Sequence, residues 1–146
     1  MRKGSLRARV LHRIETSSRP AFRLKDFSGY GYDQVGRALR KLIAEDRIER
    51  VGRGLYRKLR RRQPRLSFSR TWSRPAGVAD EIFIATVLAN PSFEDIARLC
   101  LSFGGRRVRE TMSLSAAEIP PAVRAEAARM IANAERGIID AYRQIT

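Results

Sequence analysis

The sequence predicts a mainly helical protein with one small β-hairpin, in which a basic N-terminal half precedes a nearly neutral helical half. Apolar residues recur at helical spacing through most of the chain. A Gly52-Arg53-Gly54 turn separates two short apolar runs, which is typical of a hairpin. The charge is uneven: residues 1–75 hold 22 Lys and Arg against 6 Asp and Glu, a net of +16, whereas residues 76–146 hold 8 against 9.

The overall charge favours a polyanionic partner. The net charge is +15 over 146 residues, and 43% of the residues are hydrophobic, enough for a packed core. A positive field of this size raises the local concentration of polyanions. Nucleic acid is therefore the first candidate partner and an anionic membrane surface the second. No apolar run approaches the roughly 20 residues of a membrane span, so we expect no membrane insertion. Cys100 is the only cysteine, which fits a reducing cytoplasm.

The first helix is expected over residues 5–18. Ser5 is a plausible N-cap, and Leu6, Val10 and Ile14 recur every fourth residue. Pro20 favours an end near Ser18. Residues 21–28 form a short second element for which the strand and helix interpretations remain equally open.

A second helix is expected over residues 32–47, with Val35, Leu39 and Leu42 on its apolar side. Asp33 is either its N-cap or a first-turn carboxylate that interacts with the helix dipole. The hairpin comes next, and glycines at positions 52 and 54 are expected to take positive φ.

Helix, short element, helix and hairpin are the order of a winged helix-turn-helix, which we predict for residues 1–58. In that fold the third element reads DNA and the hairpin is the wing. Arg53, at the tip, would enter a minor groove or contact a phosphate. The alternative is an ordinary hairpin turn with a solvated arginine.

Twelve residues are predicted to contact DNA. Within the recognition helix, Arg37 suits guanine and Gln34 suits adenine, although a solvated helix face is the alternative. The basic run after the hairpin would add contacts that do not depend on sequence. The predicted contact residues are Tyr32, Gln34, Arg37, Arg40, Lys41, Arg50, Arg53, Arg57, Lys58, Arg60, Arg61 and Arg62.

Residues 59–77 are predicted to be a basic linker or an extra strand. Leu66, Phe68, Arg70 and Trp72 alternate with small polar residues, which favours a strand. The arginines before them favour an arm that follows DNA. Both interpretations remain open from the sequence.

Residues 78–146 are predicted to form an all-helical module for dimerisation or partner contact. Ser92 and Asp95 have the spacing of a capping box, and Pro120-Pro121 starts a long final helix. This helix carries an apolar stripe that we expect to pair two copies, since two-fold operators suit two-fold proteins. A monomeric bundle is the alternative. The stripe comprises Val123, Ala127, Met130, Ile131, Ala134 and Ile138, extended by Ile139, Tyr142 and Ile145.

The stretch VGRALRKLIAEDRIERVGRGLYRK resembles winged-helix antitoxins of the AbiE type. Their pattern is close to ALxxLVxxGxIxRLxRGxY, and the likeness covers about residues 5–58. Asp46 stands where that family often has glycine. The resemblance implies a bacterial antitoxin that represses its own operon by binding double-stranded DNA. It also implies a toxin of the nucleotidyltransferase type as a partner, although direct contact between the two is not required.

Nothing in the sequence predicts an enzyme, a metal or a cofactor. His12 and Cys100 are the only residues of their types, too few for a zinc site of four protein ligands. No phosphate-binding glycine loop is present. An RNA- or ribosome-binding protein that uses the same basic face remains the alternative function, with Tyr30, Tyr32 and Trp72 among the aromatics available for stacking. A winged helix that contacts only proteins fits the charge less well.

Overall fold

The computed structural model describes residues 4–67 and 77–145. Helix makes up 65% of the structure, and one three-stranded antiparallel sheet accompanies it, so the prediction of a mainly helical chain is confirmed. The elements in chain order are α1 (Leu6–Thr16), β1 (Ala21–Arg23), a 3₁₀ turn (Leu24–Phe27), α2 (Tyr32–Ala44), β2 (Ile48–Gly52), β3 (Leu55–Lys58), α3 (Asp80–Ala89), α4 (Phe93–Phe103), α5 (Gly105–Leu114), a second 3₁₀ turn (Ala116–Glu118) and α6 (Pro121–Ile145).

The chain divides into two compact units. The first runs up to Arg60 and includes the last residues from Ala141, and the second is Arg61–Asp140. The first unit therefore holds both α1 and α2 together with the sheet, whereas the second holds α3 to α5 and most of α6. Residues 61–67, predicted to be linker or strand, group with the second unit.

In the first unit, α1 packs its apolar side against α2. Ser5 caps α1 as expected, because its hydroxyl accepts a hydrogen bond from the Ala8 amide at 3.1 Å. Val10 and Ile14 of α1 are fully buried with Leu42 of α2 in one apolar cluster. Burying side chains of this size contributes about 1.5–3 kcal/mol each. The apolar cluster therefore fixes which sides of both helices face solvent.

Residues 21–28 contain both of the structures that the sequence left open. β1 is a strand that pairs antiparallel with β3, with Phe22 opposite Tyr56, and the 3₁₀ turn begins at the next residue. The sheet order is β1-β3-β2. The hairpin is therefore part of a three-stranded sheet, and the predicted hairpin accounts for two of its three strands. A three-residue strand has too little pattern of its own to be recognised without its partner.

The hairpin turn depends on one glycine rather than two. Gly54 takes φ of 64°, the left-handed conformation that favours glycine. Gly52 is the last residue of β2 and has no positive φ, so the expectation for that position was wrong. Asp46, just after α2, also takes a left-handed φ of 57°. Asp tolerates that conformation better than most residues, which explains how the chain can turn there after the helix ends.

The second unit buries part of the apolar stripe of α6 that was expected to pair two copies. Ala127, Ile131, Ala134 and Ile138 are all buried within the chain. Val123, Met130, Ile139 and Tyr142 of the same stripe are half-buried. The chain therefore covers part of the stripe, and the pairing of two copies stays a prediction. The larger apolar side chains that do remain exposed in this unit lie elsewhere and are Ile82, Phe93, Leu101 and Leu114.

Residues 61–67 are an extended segment held along α4. The Arg61 amide donates to the Ser102 carbonyl at 2.9 Å, and the Ser102 hydroxyl donates to the Arg62 carbonyl. Leu66 is buried. Neither the expected linker nor the expected strand describes these seven residues, because groups of α4 and not a neighbouring strand bind their backbone. Phe68, Arg70 and Trp72 lie outside the described residues.

Asp95 anchors the end of this segment. Its carboxylate is completely buried and accepts hydrogen bonds from both the amide and the hydroxyl of Ser67, each at 2.9 Å. Charged groups are buried only where such bonds compensate for lost water. The Asp95 amide is itself bonded to the Ser92 hydroxyl, the N-cap of α4. One residue thus joins the start of α4 to the segment before α3.

We therefore expect Asp95→Ala to lower the free energy of unfolding by about 1–3 kcal/mol, because the amide and hydroxyl of the half-buried Ser67 lose their acceptor. Urea denaturation of the full chain measures this. Glu94→Ala is the matched control: it removes the same charge from the neighbouring position, where the exposed pair with Arg98 is worth about 1 kcal/mol at most. Equal midpoints for the two variants would contradict the anchoring role.

Candidate nucleic-acid interface

The two faces of α2 differ completely in character. Val35, Ala38, Leu39 and Leu42 are buried, at the i, i+3, i+4, i+7 spacing of a helix side that faces a core. The opposite side is exposed, and Tyr32 is 74% accessible. All five contact residues predicted on this helix lie on its exposed part, and they are Tyr32, Gln34, Arg37, Arg40 and Lys41. These five residues are exposed because the opposite side of α2 is buried in the core.

An ion pair between α1 and the C-cap of α2 fixes the orientation of α2. The Arg7 guanidinium donates to the Glu45 carboxylate through two nitrogens, the Nε bond measuring 2.7 Å. This bidentate arrangement is the geometry that arginine and carboxylate favour. The hydrogen bonds from Arg7 hold the pKa of Glu45 below its ordinary value. Both groups are solvated, so the pair orients α2 more than it stabilises the fold.

A shallow cleft of about 300 Å³ lies beside the exposed side of α2. Its walls come from three elements: the first half of α2, the 3₁₀ turn and β3. Asp33 is the carboxylate in this lining and sits in the first turn of α2, not at its N-cap, which is Gly31. The lining residues are Leu24, Tyr32, Asp33, Gly36, Arg37, Arg40 and Tyr56. The sequence did not indicate that Leu24 or Tyr56 would lie here, since their position depends on the pairing of β1 with β3.

Most carboxylates of the first unit are already engaged. Four of the six form ion pairs, and none of these pairs uses a cation of the exposed α2 side or of the hairpin turn. The pairs are Glu45 with Arg7, Asp26 with Arg19, Glu15 with Arg47 and Glu49 with Arg57. Within the described ranges, the cations of that side and of the hairpin therefore have no ion-pair partner, and they are Arg37, Arg40, Lys41, Arg50 and Arg53.

The hairpin presents its two arginines differently. Arg53 is exposed at the tip, between Gly52 and Gly54. The Arg50 guanidinium donates from Nε to the Gly52 carbonyl at 3.1 Å, so it lies along the hairpin, although the residue remains exposed. Arg53 therefore lies on the turn, whereas Arg50 lies in β2 before it.

Arg57 is the predicted contact residue that the structure places elsewhere. Its side chain is only 2% exposed, and Nε donates to the Glu49 carboxylate at 3.0 Å. Its guanidinium carbon also lies 5.8 Å from the centre of the Tyr142 ring, within the same unit. The prediction that Arg57 reaches a phosphate is therefore wrong. The strand alternation of β3, in which residues 55 and 57 point inward, decides this.

The rest of the basic run is only partly exposed. Arg60 and Arg62 are exposed, whereas Lys58 and Arg61 are half-buried. The Lys58 ammonium lies 3.5 Å from the Glu15 carbonyl. Arg61 takes a left-handed φ of 58° where the chain enters the segment along α4. Residues 58–62 are therefore not a continuous exposed basic arm. Their two exposed arginines lie where the chain passes from the first unit to the second.

No family model, curated protein or solved structure matches this chain. In the part of the chain that the structure describes, His, Cys, Asp and Glu form no cluster of three or more that could hold a metal ion. The helices described there are all too short or too polar to cross a bilayer. The functional interpretation of the site therefore rests on its own geometry.

Arg57 and Arg53 should respond to substitution in opposite ways. Arg57→Ala removes one partner of a buried ion pair and should cost about 3–5 kcal/mol of unfolding free energy. Arg53→Ala, at the exposed tip, should stay within about 0.5 kcal/mol of the parent protein. Denaturant titration of both variants measures this. A small loss for Arg57→Ala would show that the hairpin does not depend on the pair with Glu49.

Proposed function

We propose that this chain is a sequence-specific double-stranded DNA-binding protein and that its first unit is a winged helix-turn-helix. In this proposal α2 is the recognition helix and the β2–β3 hairpin is the wing. The observation that carries it is the group of five cations without carboxylate partners on α2 and the hairpin. Phosphate groups would supply the ion-pair partners of these five cations.

The element order supports the winged-helix assignment. α1, β1, a 3₁₀ turn, α2, β2 and β3 succeed one another, and β1 closes the sheet beside β3. In a winged helix-turn-helix a short helix precedes the recognition helix, and in this proposal the 3₁₀ turn takes that role. A hairpin supported by a third strand also holds its tip more firmly than a two-stranded hairpin, which alone is only marginally stable.

The exposed side chains of α2 suit base reading in the major groove. An α-helix fits that groove, arginine binds guanine through two hydrogen bonds, and glutamine binds adenine in the same way. Arg37 and Gln34 lie on one exposed part of α2, with Lys41 one turn beyond Arg37. Arg53 would contact the backbone or the minor groove, while Arg60 and Arg62 would add contacts that are independent of sequence.

We further propose that the protein is a bacterial antitoxin that represses its own operon. This part rests on the resemblance of residues 38–56 to AbiE-type antitoxins, whose toxin partners are of the nucleotidyltransferase type. Asp46 departs from the glycine of that pattern, yet its left-handed φ is a conformation that glycine adopts readily. Expression of a reporter from the DNA upstream of the gene, with and without the protein, tests the repressor role.

RNA binding is the second candidate function. The solvated ring of Tyr32, five residues before Arg37, is the observation that favours it, because exposed aromatics stack on unpaired bases. Titration against duplex DNA, duplex RNA and single strands of matched length separates the candidates. Preference for duplex DNA supports the first proposal, and preference for single-stranded RNA supports the second.

Arg37→Ala tests base reading. We expect a loss of roughly 1–3 kcal/mol on the cognate DNA and a relaxed preference at one base pair, because a bidentate contact is removed. Arg129→Ala, an exposed arginine of α6 without an ion-pair partner in the described residues, is the control and should bind normally. An equal loss on cognate and random duplexes would reduce Arg37 to a phosphate contact.

The proposal includes two copies on a two-fold operator, since doubling the phosphate contacts strengthens the binding of a small DNA-binding unit. Light scattering of the full chain at micromolar concentration should then give twice the 16.6 kDa chain mass. Because Ile131 is fully buried, Ile131→Asn should unfold the second unit and not simply separate the copies. A 16.6 kDa species bound singly to its operator would overturn this part of the proposal.

A further inference from the structure

A second basic surface lies on the outer side of α1. Arg9, His12, Arg13 and Thr16 line an open cleft of about 460 Å³ there, with the Tyr30 ring as its other wall. These α1 positions have the spacing i, i+3, i+4, i+7, which places them on one side of the helix. No carboxylate lines this cleft. We name it the α1 cleft.

The cations of the α1 cleft are held in place but not neutralised. The Arg9 guanidinium lies 5.5 Å from the centre of the Tyr30 ring. The Arg13 guanidinium donates to the Asp26 carbonyl at 3.2 Å. Neither arginine has an ion-pair partner among the described residues. Arg7 of the same helix contrasts with them, because it lies outside the cleft and is paired with Glu45.

The position of Tyr30 connects the α1 cleft to the proposed recognition helix. Tyr30 lies two residues before the first residue of α2, Tyr32. A helix N-terminus carries partial positive charge, so the anionic partner of α2 is drawn toward this end. Tyr30 thus lies close in the chain to the start of α2 and also contacts Arg9 in the α1 cleft. The open shape of the cleft suits a strand that runs through it.

We propose that the α1 cleft binds the phosphate backbone of the same duplex that α2 reads, an inference that rests on the proposed function. Arg9 and Arg13 contact consecutive or nearby phosphates, and Tyr30 holds Arg9 in its bound orientation through cation–π contact. Phosphate contacts of this kind carry no sequence information, but they set the register of the reading helix on the duplex. The α1 cleft is thus a positioning surface for recognition.

The test uses the full chain with Arg9→Gln and Arg13→Gln combined. Two probes are titrated over a range of salt concentrations: the duplex directly upstream of the gene, and a random duplex of equal length. Two lost phosphate contacts should reduce the magnitude of the salt slope by about 1.8 on both probes. The ratio of the two affinities should stay unchanged, because no base contact is removed.

A matched double variant controls for charge. Arg129→Gln with Arg136→Gln removes two positive charges from exposed positions of α6, outside the α1 cleft and outside α2. It should keep the parent salt slope. Lysine at positions 9 and 13 should restore most of the slope. Thermal melting of each variant shows whether the first unit is still folded.

The outcomes separate the inference from the proposed function. If the parent chain binds neither duplex, the proposed function and this inference both fail. If the parent binds and Arg37→Ala weakens it, but the Arg9/Arg13 double variant keeps the parent slope, only the inference is overturned. A slope reduced equally by the Arg129/Arg136 control would also overturn it, since the effect would then be one of net charge.

Discussion

The shortage of carboxylates in the first unit is the constraint on which its surface depends. Six acidic residues face a large excess of arginine and lysine, and the ion pairs at Glu15, Asp26, Glu45 and Glu49 use four of them. Three of these pairs join α1 to the C-cap of α2, α1 to the residues between α2 and β2, and β2 to β3. The cations of the exposed α2 side are left without an acidic partner. The positive side is therefore a consequence of where the few carboxylates are placed.

The apolar cluster and the ion pairs orient α2 in different ways. Burial of Val35, Leu39 and Leu42 decides which side of the helix faces the core. The Arg7–Glu45 pair holds the end of α2 against α1, and the start of α2 lies close to Tyr30 in the chain. A binding surface on a rigid element needs this kind of support, because small displacements separate contacts of fixed length. The proposed interface is thus supported by buried side chains and ion pairs beneath it, although its own side chains are solvated.

In the second unit, the buried carboxylate of Asp95 binds a segment whose composition predicts a linker. Residues 61–67 have a composition typical of a flexible basic linker. Asp95 and Ser102 nevertheless supply partners for their backbone, and Leu66 fills a buried position. The ordered segment holds Arg62 outward at a fixed place. The composition of a segment predicts which of its side chains are solvated. It does not predict whether the backbone is held in one conformation, because the hydrogen-bond partners are distant in sequence.

The sequence by itself determined the helices, the hairpin and the exposed side of α2, because periodicity, N-caps and turn residues are local signals. It also determined the uneven charge. The tertiary structure decided the pairing of β1 with β3, the burial of Arg57, the burial of four residues of the α6 stripe and the cleft that Tyr56 lines. Each of these depends on residues far apart in the chain. The sequence does not distinguish Arg57 from Arg60, because both belong to one basic run. Packing places Arg57 at an inward position of β3 and leaves Arg60 in solvent.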